Sequence, residues 1–376
     1  MRSRKTGILI SILYLCLLAI LTATGCSRSK TPDLAAQSAE SASAQGTEPA
    51  SAAQSAEPAS TTGESAGPSA ASASPAGDDY DYSGLVIGFS QLGSESAWRL
   101  GNTASMERAA QEHGVSLMME NGMQKQENQI AAIRSFIAYQ VDVIVFAPIV
   151  ETGWVNVLQE AKDAGIPVIM MDRLISVKDS DLYTAYIGPD HYQEGVSAAK
   201  FLIKKAEEMD QEKIRIAEIS GTEGSSPMIS RYQGFHDLID RNDRFETLDT
   251  ISGDFLRSKG KECMETLLRK YPDQIDVLYS HNDAMTLGAI EVMEAHGIEP
   301  GKDIVIITVD GEQAAVDLLK EGKINCVVEC SPMLGDAVMD LAQKIVSGQD
   351  FPRNTHPEEE VFTEYDDLSD LAPRGY

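Results

Sequence analysis

Acidic, basic and amide side chains gather just after short apolar runs in this chain. Ser90, Gln91, Ser94, Glu95, Trp98 and Arg99 follow residues 85–89, and Asp172 and Arg173 follow residues 168–171. Asn282, Asp283 and Asp310 follow later runs, Asp254 and Phe255 follow Gly253, and Arg231 stands in a Ser-Arg-Tyr-Gln-Gly-Phe stretch. A carboxylate accepts, a guanidinium donates through a planar fork and an amide does both, so this set can hold vicinal hydroxyls in a bidentate way. Flat rings such as Trp98 and Phe255 can cover the apolar C–H face of a polyol ring. Arg173 beside Asp172 is expected to keep that carboxylate ionised as an acceptor. The alternative for the two is a structural ion pair at the surface.

Bond-breaking chemistry finds little footing. The six histidines (His113, His191, His236, His281, His296 and His356) show no HxH or HExxH spacing, and no GxSxG, P-loop or GxGxxG is present. No metal or cofactor is expected, since His281 beside Asn282 and Asp283 offers no second ligand. A glycosidase needs a matched acid and base, and Glu95, Asp172 and Asp310 are equally explained as hydroxyl acceptors. The Gly-rich residues 221–226 read as a turn, Trp154 as a packing residue, and Glu358, Glu359 and Glu360 as a solvated surface run.

The elements that must position these groups follow from periodicity. Apolar runs at 85–89, 115–119, 143–146, 168–171 and 185–187 alternate with helical stretches, of which 98–113 stops at Gly114 and 155–164 stops at Gly165. A second series has strands at 214–219, 247–251, 277–279, 304–309 and 325–329, with one more helix at 332–346. Repeated βα units predict an α/β fold of two doubly wound parallel-sheet lobes, with the polar groups at a cleft between them.

The amino-terminal residues set the compartment. Arg2, Arg4 and Lys5 precede an apolar run over residues 7–21 and then Thr22-Ala23-Thr24-Gly25-Cys26, the layout of a secretory signal with a Cys after small residues. The pattern resembles a bacterial lipobox, so residues 1–25 are expected to leave and Cys26 to carry lipid; an uncleaved signal anchor is the alternative. Positive charge before the run puts the rest outside the cytoplasm under either reading. Residues 1–25 hold three basic and no acidic side chains, so their loss takes the formal charge from −27 to −30. Such a chain repels a nucleic acid. Residues 27–79 are almost entirely Ala, Ser, Pro, Gly, Thr, Gln and Glu, a composition that cannot offset its ordering entropy. As a coil of roughly 50 residues this tether reaches about 40 Å. Beyond Cys16 and Cys26, Cys263, Cys326 and Cys330 read as small buried hydrophobes, the last two being about 13 Å apart if they share a strand.

Several stretches together resemble the sugar-binding receptors of bacterial ABC importers, the ribose-binding, type 1 periplasmic-binding-protein family, and within it the galactofuranose binders. They are GFSQLGSESAWR at 88–99, QKQENQIAAIRSFIA at 124–138, TGW at 152–154, EAKDAGIPVIMMDR at 160–173, SGDFLRSKGKECME at 252–265, HND at 281–283 and GKDI at 301–304. The resemblance implies two lobes joined by a three-segment hinge, residues 83–189 plus 331–356 and residues 190–330 plus 357–376; the signal (1–25) and the lipid-anchored tether (26–82) read from composition precede them. It implies sugar contacts from Glu95, Trp98, Arg99, Asp172, Arg173, Arg231, Phe255, Asn282 and Asp310. Ser94, Gln124 and Glu329 would act more weakly or from behind. The expected protein is a monomeric, non-enzymatic receptor that captures a monosaccharide, galactofuranose first, for an ABC permease and its ATPase. A sugar sensor signalling to a membrane kinase or chemoreceptor is the alternative. A repressor core of the same fold would need a DNA-binding domain where the signal and tether stand.

Overall fold

A computed structural model describes residues 82–177 and 180–376; the expected signal, Cys16, Cys26 and the tether to residue 81 lie outside the described residues. Branched and aromatic residues fill strands Val86–Gln91 (β1), Val143–Phe146 (β3), Val168–Met171 (β4) and Ala185–Ile187 (β5), which are buried almost throughout. Parallel strands covered by helices on both faces require that pattern. With Ser116–Asn121 (β2) and Asn354–Thr355 (β11) they form one sheet in the order β11-β5-β4-β3-β1-β2, every pairing parallel.

A second six-stranded sheet repeats the arrangement. It comprises Ile214–Ser220 (β6), Phe245–Ser252 (β7), Val277–Ser280 (β8), Val305–Asp310 (β9), Cys326–Glu329 (β10) and Val361–Thr363 (β12) in the order β12-β10-β9-β8-β6-β7. Only β12 runs antiparallel to its neighbour, β10.

Helices Ala97–His113 (α1) and Gly335–Val346 (α9) cover one face of the first sheet through Met106, Val338 and Leu341, while Gln126–Tyr139 (α2) and Val155–Asp163 (α3) cover the other through Ile133, Phe136 and Leu158. His191–Lys205 (α4) and Ser226–Ile239 (α5) flank the second sheet opposite Arg257–Lys270 (α6) and Asp283–Ala295 (α7), with Gln313–Lys320 (α8) between β9 and β10. Trp154 packs as expected: it is fully buried, tilted against Phe146 at 5.2 Å, and its Nε1 donates to the Val150 carbonyl at 2.6 Å. Cys263, Cys326 and Cys330 are buried free thiols.

The chain passes between the sheets three times, from β5 to α4, from β10 to α9 and from β11 to β12. The sequence does not predict β11, two residues with no apolar side chain, or β12, three residues directly after an acidic run. In the third passage Glu358 and Glu360 are exposed, as expected of the acidic run, while Glu359 is half-buried. Glu359 accepts from the Ser331 backbone N–H at 2.8 Å, and Glu329 accepts from the Glu360 N–H at 2.9 Å, so these carboxylates brace the passage. Burial, aided by the nearby Glu194, pushes the Glu359 carboxyl up to about 9.

Candidate functional site

Ser96 fixes the start of α1 by accepting from the Arg99 N–H at 3.1 Å, which sets Trp98 and Arg99 in the first turn beyond the carboxyl end of β1. Arg99 is buried and fully engaged. It donates to Asp172 Oδ2 at 2.8 Å, to Glu95 Oε1 at 3.2 Å and to Gln91 Oε1 at 3.2 Å, with its guanidinium 4.6 Å from the centre of the Trp98 ring. Trp98 points away from its own sheet. Its indole Nε1 donates to the Cys330 carbonyl at 2.5 Å and its backbone N–H to Glu312 Oε1 at 3.1 Å, and the ring joins the apolar cluster of α4, α5 and the second sheet.

Asp172 leaves β4 in the left-handed region, φ 64°, which turns its carboxylate toward α1. The sequence pairs it with Arg173, but Arg99 is its close partner at 2.8 Å while Arg173 Nε lies 3.7 Å away. Burial opposes its charge, yet Arg99, His191 and Arg173 outweigh that and hold the carboxyl well below the usual carboxylate range. Burial and the like charge of Arg99 bring the Arg173 guanidinium down to about 10. Arg173 gives Nη1 to the Ile149 carbonyl at 3.2 Å and keeps its buried Nε without a partner.

In the second lobe, close helix contact does the positioning. A Cβ on Gly195 would lie 2.2 Å from the Arg231 carbonyl and one on Gly234 2.1 Å from the Tyr192 carbonyl, so only glycine lets α4 and α5 approach this far. That approach puts Glu194 Oε2 2.6 Å from Arg231 Nε. Arg231 also donates to the His281 carbonyl at 2.5 Å and lies 3.6 Å from Asp310 Oδ1. Burial pushes the Asp310 carboxyl above its ordinary range although Arg231 opposes it. A carboxyl that holds a proton can donate to a hydroxyl as well as accept. Phe255 sits over Gly221, where a Cβ would meet the ring at 1.9 Å, with the Arg173 guanidinium 5.1 Å and that of Arg231 6.0 Å from the ring centre. Asn282 caps α7 through the Met285 N–H at 3.0 Å and turns its amide nitrogen toward the Phe255 carbonyl at 3.4 Å.

Behind Asn282, His281 and Asp283 serve the frame. His281 meets Glu218 Oε1 at 2.8 Å, and His236 and Thr250 meet Oε2 at 3.0 and 2.7 Å. Asp283 accepts from Thr308, Gly311 and Glu312, each at 2.7 Å, and so shapes the turn that carries Asp310.

Glu95, Trp98, Arg99, Asp172, Arg173, Arg231, Phe255, Asn282 and Asp310 all line one cavity that draws on both lobes. Gln124 lines an adjoining space that shares Glu95 and Arg173. Ser94 is exposed and lines neither, and Glu329 is held by Arg374 beside the acidic run. Sequence reasoning missed His191 and Cys330 in the cavity wall and Glu194 behind it. Glu194 was within reach as a carboxylate one turn into a helix that opens on Asp190; His191 and Cys330 gave no signal. The cavity is lined by three guanidiniums, three carboxylates and two aromatic rings, a set that can hold the hydroxyls and the apolar face of a small neutral polyol. Glu95 Oε2, Arg173 Nε and His191 Nε2 are buried there without a hydrogen bond.

Comparison with known proteins gives a consistent picture. A family profile described as a periplasmic binding protein domain matches residues 87–350. The chain is 41% identical over 262 residues to the galactofuranose-binding protein YtfQ of Escherichia coli (strain K12), covering 69% of this chain and 81% of that protein. It is similar to a crystal structure from Mycobacterium smegmatis in complex with β-D-fucofuranose, with 43% identity, a TM-score of 0.73 and coverage of 75% of this chain and 92% of that one. The binding protein of the arabinose ABC transporter from Shewanella sp. ANA-3, bound to α- and β-L-arabinofuranose, matches at 39% identity and a TM-score of 0.72, covering 75% and 92% of the two chains.

Proposed function

The chain belongs to the periplasmic binding protein domain family, a family of solute receptors rather than enzymes, and from that premise we propose that it encloses a furanose sugar, galactofuranose first, between its lobes. The observation that carries this reading is the convergence of nine polar and aromatic side chains from both lobes on one buried cavity. Asp172 and Arg173 face the ring hydroxyls from the first lobe, Arg231, Asn282 and Asp310 from the second, and Trp98 and Phe255 flank the ring. Lobes 83–189 with 331–356 and 190–330 with 357–376 close on the sugar about the three passages. The closed form is the one an ABC permease and its ATPase recognise. Lipid on Cys26 holds this monomeric receptor at the outer face of the membrane, and the tether gives it reach.

A thermal-shift panel of galactose, fucose, arabinose, ribose and glucose tests the reading, since these sugars present furanose forms to different extents. Galactose, fucose and arabinose should raise Tm, by about 2.7 kcal/mol of stabilisation at a hundred times Kd. No shift with any of the five would overturn it.

A further inference from the structure

Two buried polar atoms at the first turn of α4, His191 Nε2 and Glu194 Oε1, are left without a hydrogen bond, although His191 also lies beside the Asp172 carboxylate. Asp172 Oδ1 lies 3.6 Å from His191 Nε2, and Arg231 occupies only the other oxygen of Glu194. A ring nitrogen of His191, a carboxylate oxygen of Glu194 and Cys330 Sγ lie within 4.8 Å of one another, and His191 and Cys330 line the cavity. A buried donor or acceptor left unmade is unfavourable, so His191 calls for a partner from the cavity that it lines.

We propose that His191 reads one hydroxyl of the bound sugar, donating to the hydroxyl oxygen from the cavity wall, with Glu194 behind it. This rests on the receptor reading and adds a specificity-determining residue to it. A soft divalent cation held by His191, Glu194 and Cys330 is the rival use of the same atoms. The Arg231 guanidinium, 2.6 Å from Glu194, sets a fixed positive charge against any such ion and none against a neutral hydroxyl.

Calorimetry on the full chain separates these outcomes. Galactose, fucose (its 6-deoxy form), arabinose (which lacks the sixth carbon) and the 2- and 3-deoxygalactoses are titrated into the wild type, His191→Leu and His191→Asn. His191→Leu should lose about 10- to 100-fold in affinity for galactose, and His191→Asn, which keeps an N–H donor, should recover most of it. One of the truncated sugars should bind the wild type more weakly than galactose does, yet bind His191→Leu no more weakly than galactose does. Equal affinity of wild type and His191→Leu for every sugar would overturn the proposal. So would stoichiometric Zn²⁺ binding by the sugar-free wild type that disappears in Cys330→Ser. Absence of binding by the wild type itself would instead overturn the receptor reading, and this inference with it.

Discussion

The indole Nε1 of Trp98 donates to the backbone carbonyl of Cys330 at 2.5 Å, tying the first turn of α1 to the strand exit of the opposite sheet. Because the ring also packs with α4 and α5, Trp98 acts across the cleft as much as inside it. That tie joins the neighbour of Arg99 to Cys330, whose own N–H donates to the Asp310 carbonyl at 2.9 Å.

Trp98→Ala should therefore open the closed form more than it unfolds either lobe. Affinity for the sugar should fall by about 100-fold or more, since truncating a buried Trp removes ~3–5 kcal/mol of packing. Small-angle scattering checks the cause: the variant should stay expanded at sugar levels that compact the wild type. Unchanged affinity in a folded variant would return the residue to scaffold.

Arg231→Ala leaves Glu194 buried and unpaired, so the second lobe should lose about 3–5 kcal/mol of stability along with binding. Arg231→Met combined with Glu194→Leu removes both charges and should recover much of that stability without recovering binding. Urea denaturation of the three proteins reads the difference, and equal instability of the single and double variants would count against the pairing.

Gly221→Ala places a methyl group where the Phe255 ring lies. The ring must swing aside, so sugar affinity should drop at least about tenfold while Tm moves by only a few degrees. Normal affinity in this variant would mean that Phe255 does not cover the ligand.

The buried Glu218 gives a pH signature. Burial disfavours its charge, but His236 and His281 outweigh it and bring the carboxyl to about 2. A depressed carboxyl contributes stability that is full above its unfolded value of about 4.3 and is lost as pH falls toward 2. Burial lowers the His236 value, but Glu218 and Asp240 raise it further, so its contribution is full below about 6.5 and is lost as pH rises through the raised value. Burial lowers the value of His281, the other imidazole on Glu218, so stability also falls as pH drops below about 6.5, and Tm should peak near that value and fall on both sides. Glu218→Gln removes the shared partner and should flatten both limbs; a profile unchanged from wild type would refute the assignment.

Much of this architecture was legible because each strand is a short apolar run and each polar cluster stands at its end. Asp172, Arg231 and Asn282 could be named from the sequence because their motifs are local and the resemblance covers them. What could not be read lies in contacts between distant segments. Nothing local says that Asp172 answers to Arg99, 73 positions away, in preference to the adjacent Arg173. The pairing of Glu194 with Arg231 depends on two glycines in different helices meeting face to face. His191 and Cys330 carry no motif and reach the cavity only because the passages between lobes bring them there. Glu359 reads as one of three solvated acids, and only the third passage explains its half-buried contact with Ser331.

The claim that the cleft binds a furanose sugar is tested most directly by calorimetric titration of galactose into the full chain and into Asp172→Asn. The account predicts saturable one-to-one binding to the wild type, at about micromolar Kd or tighter, a free energy near −8 kcal/mol, and a loss of at least about tenfold in the variant. Absence of heat with galactose, fucose and arabinose alike in the folded wild type would contradict it.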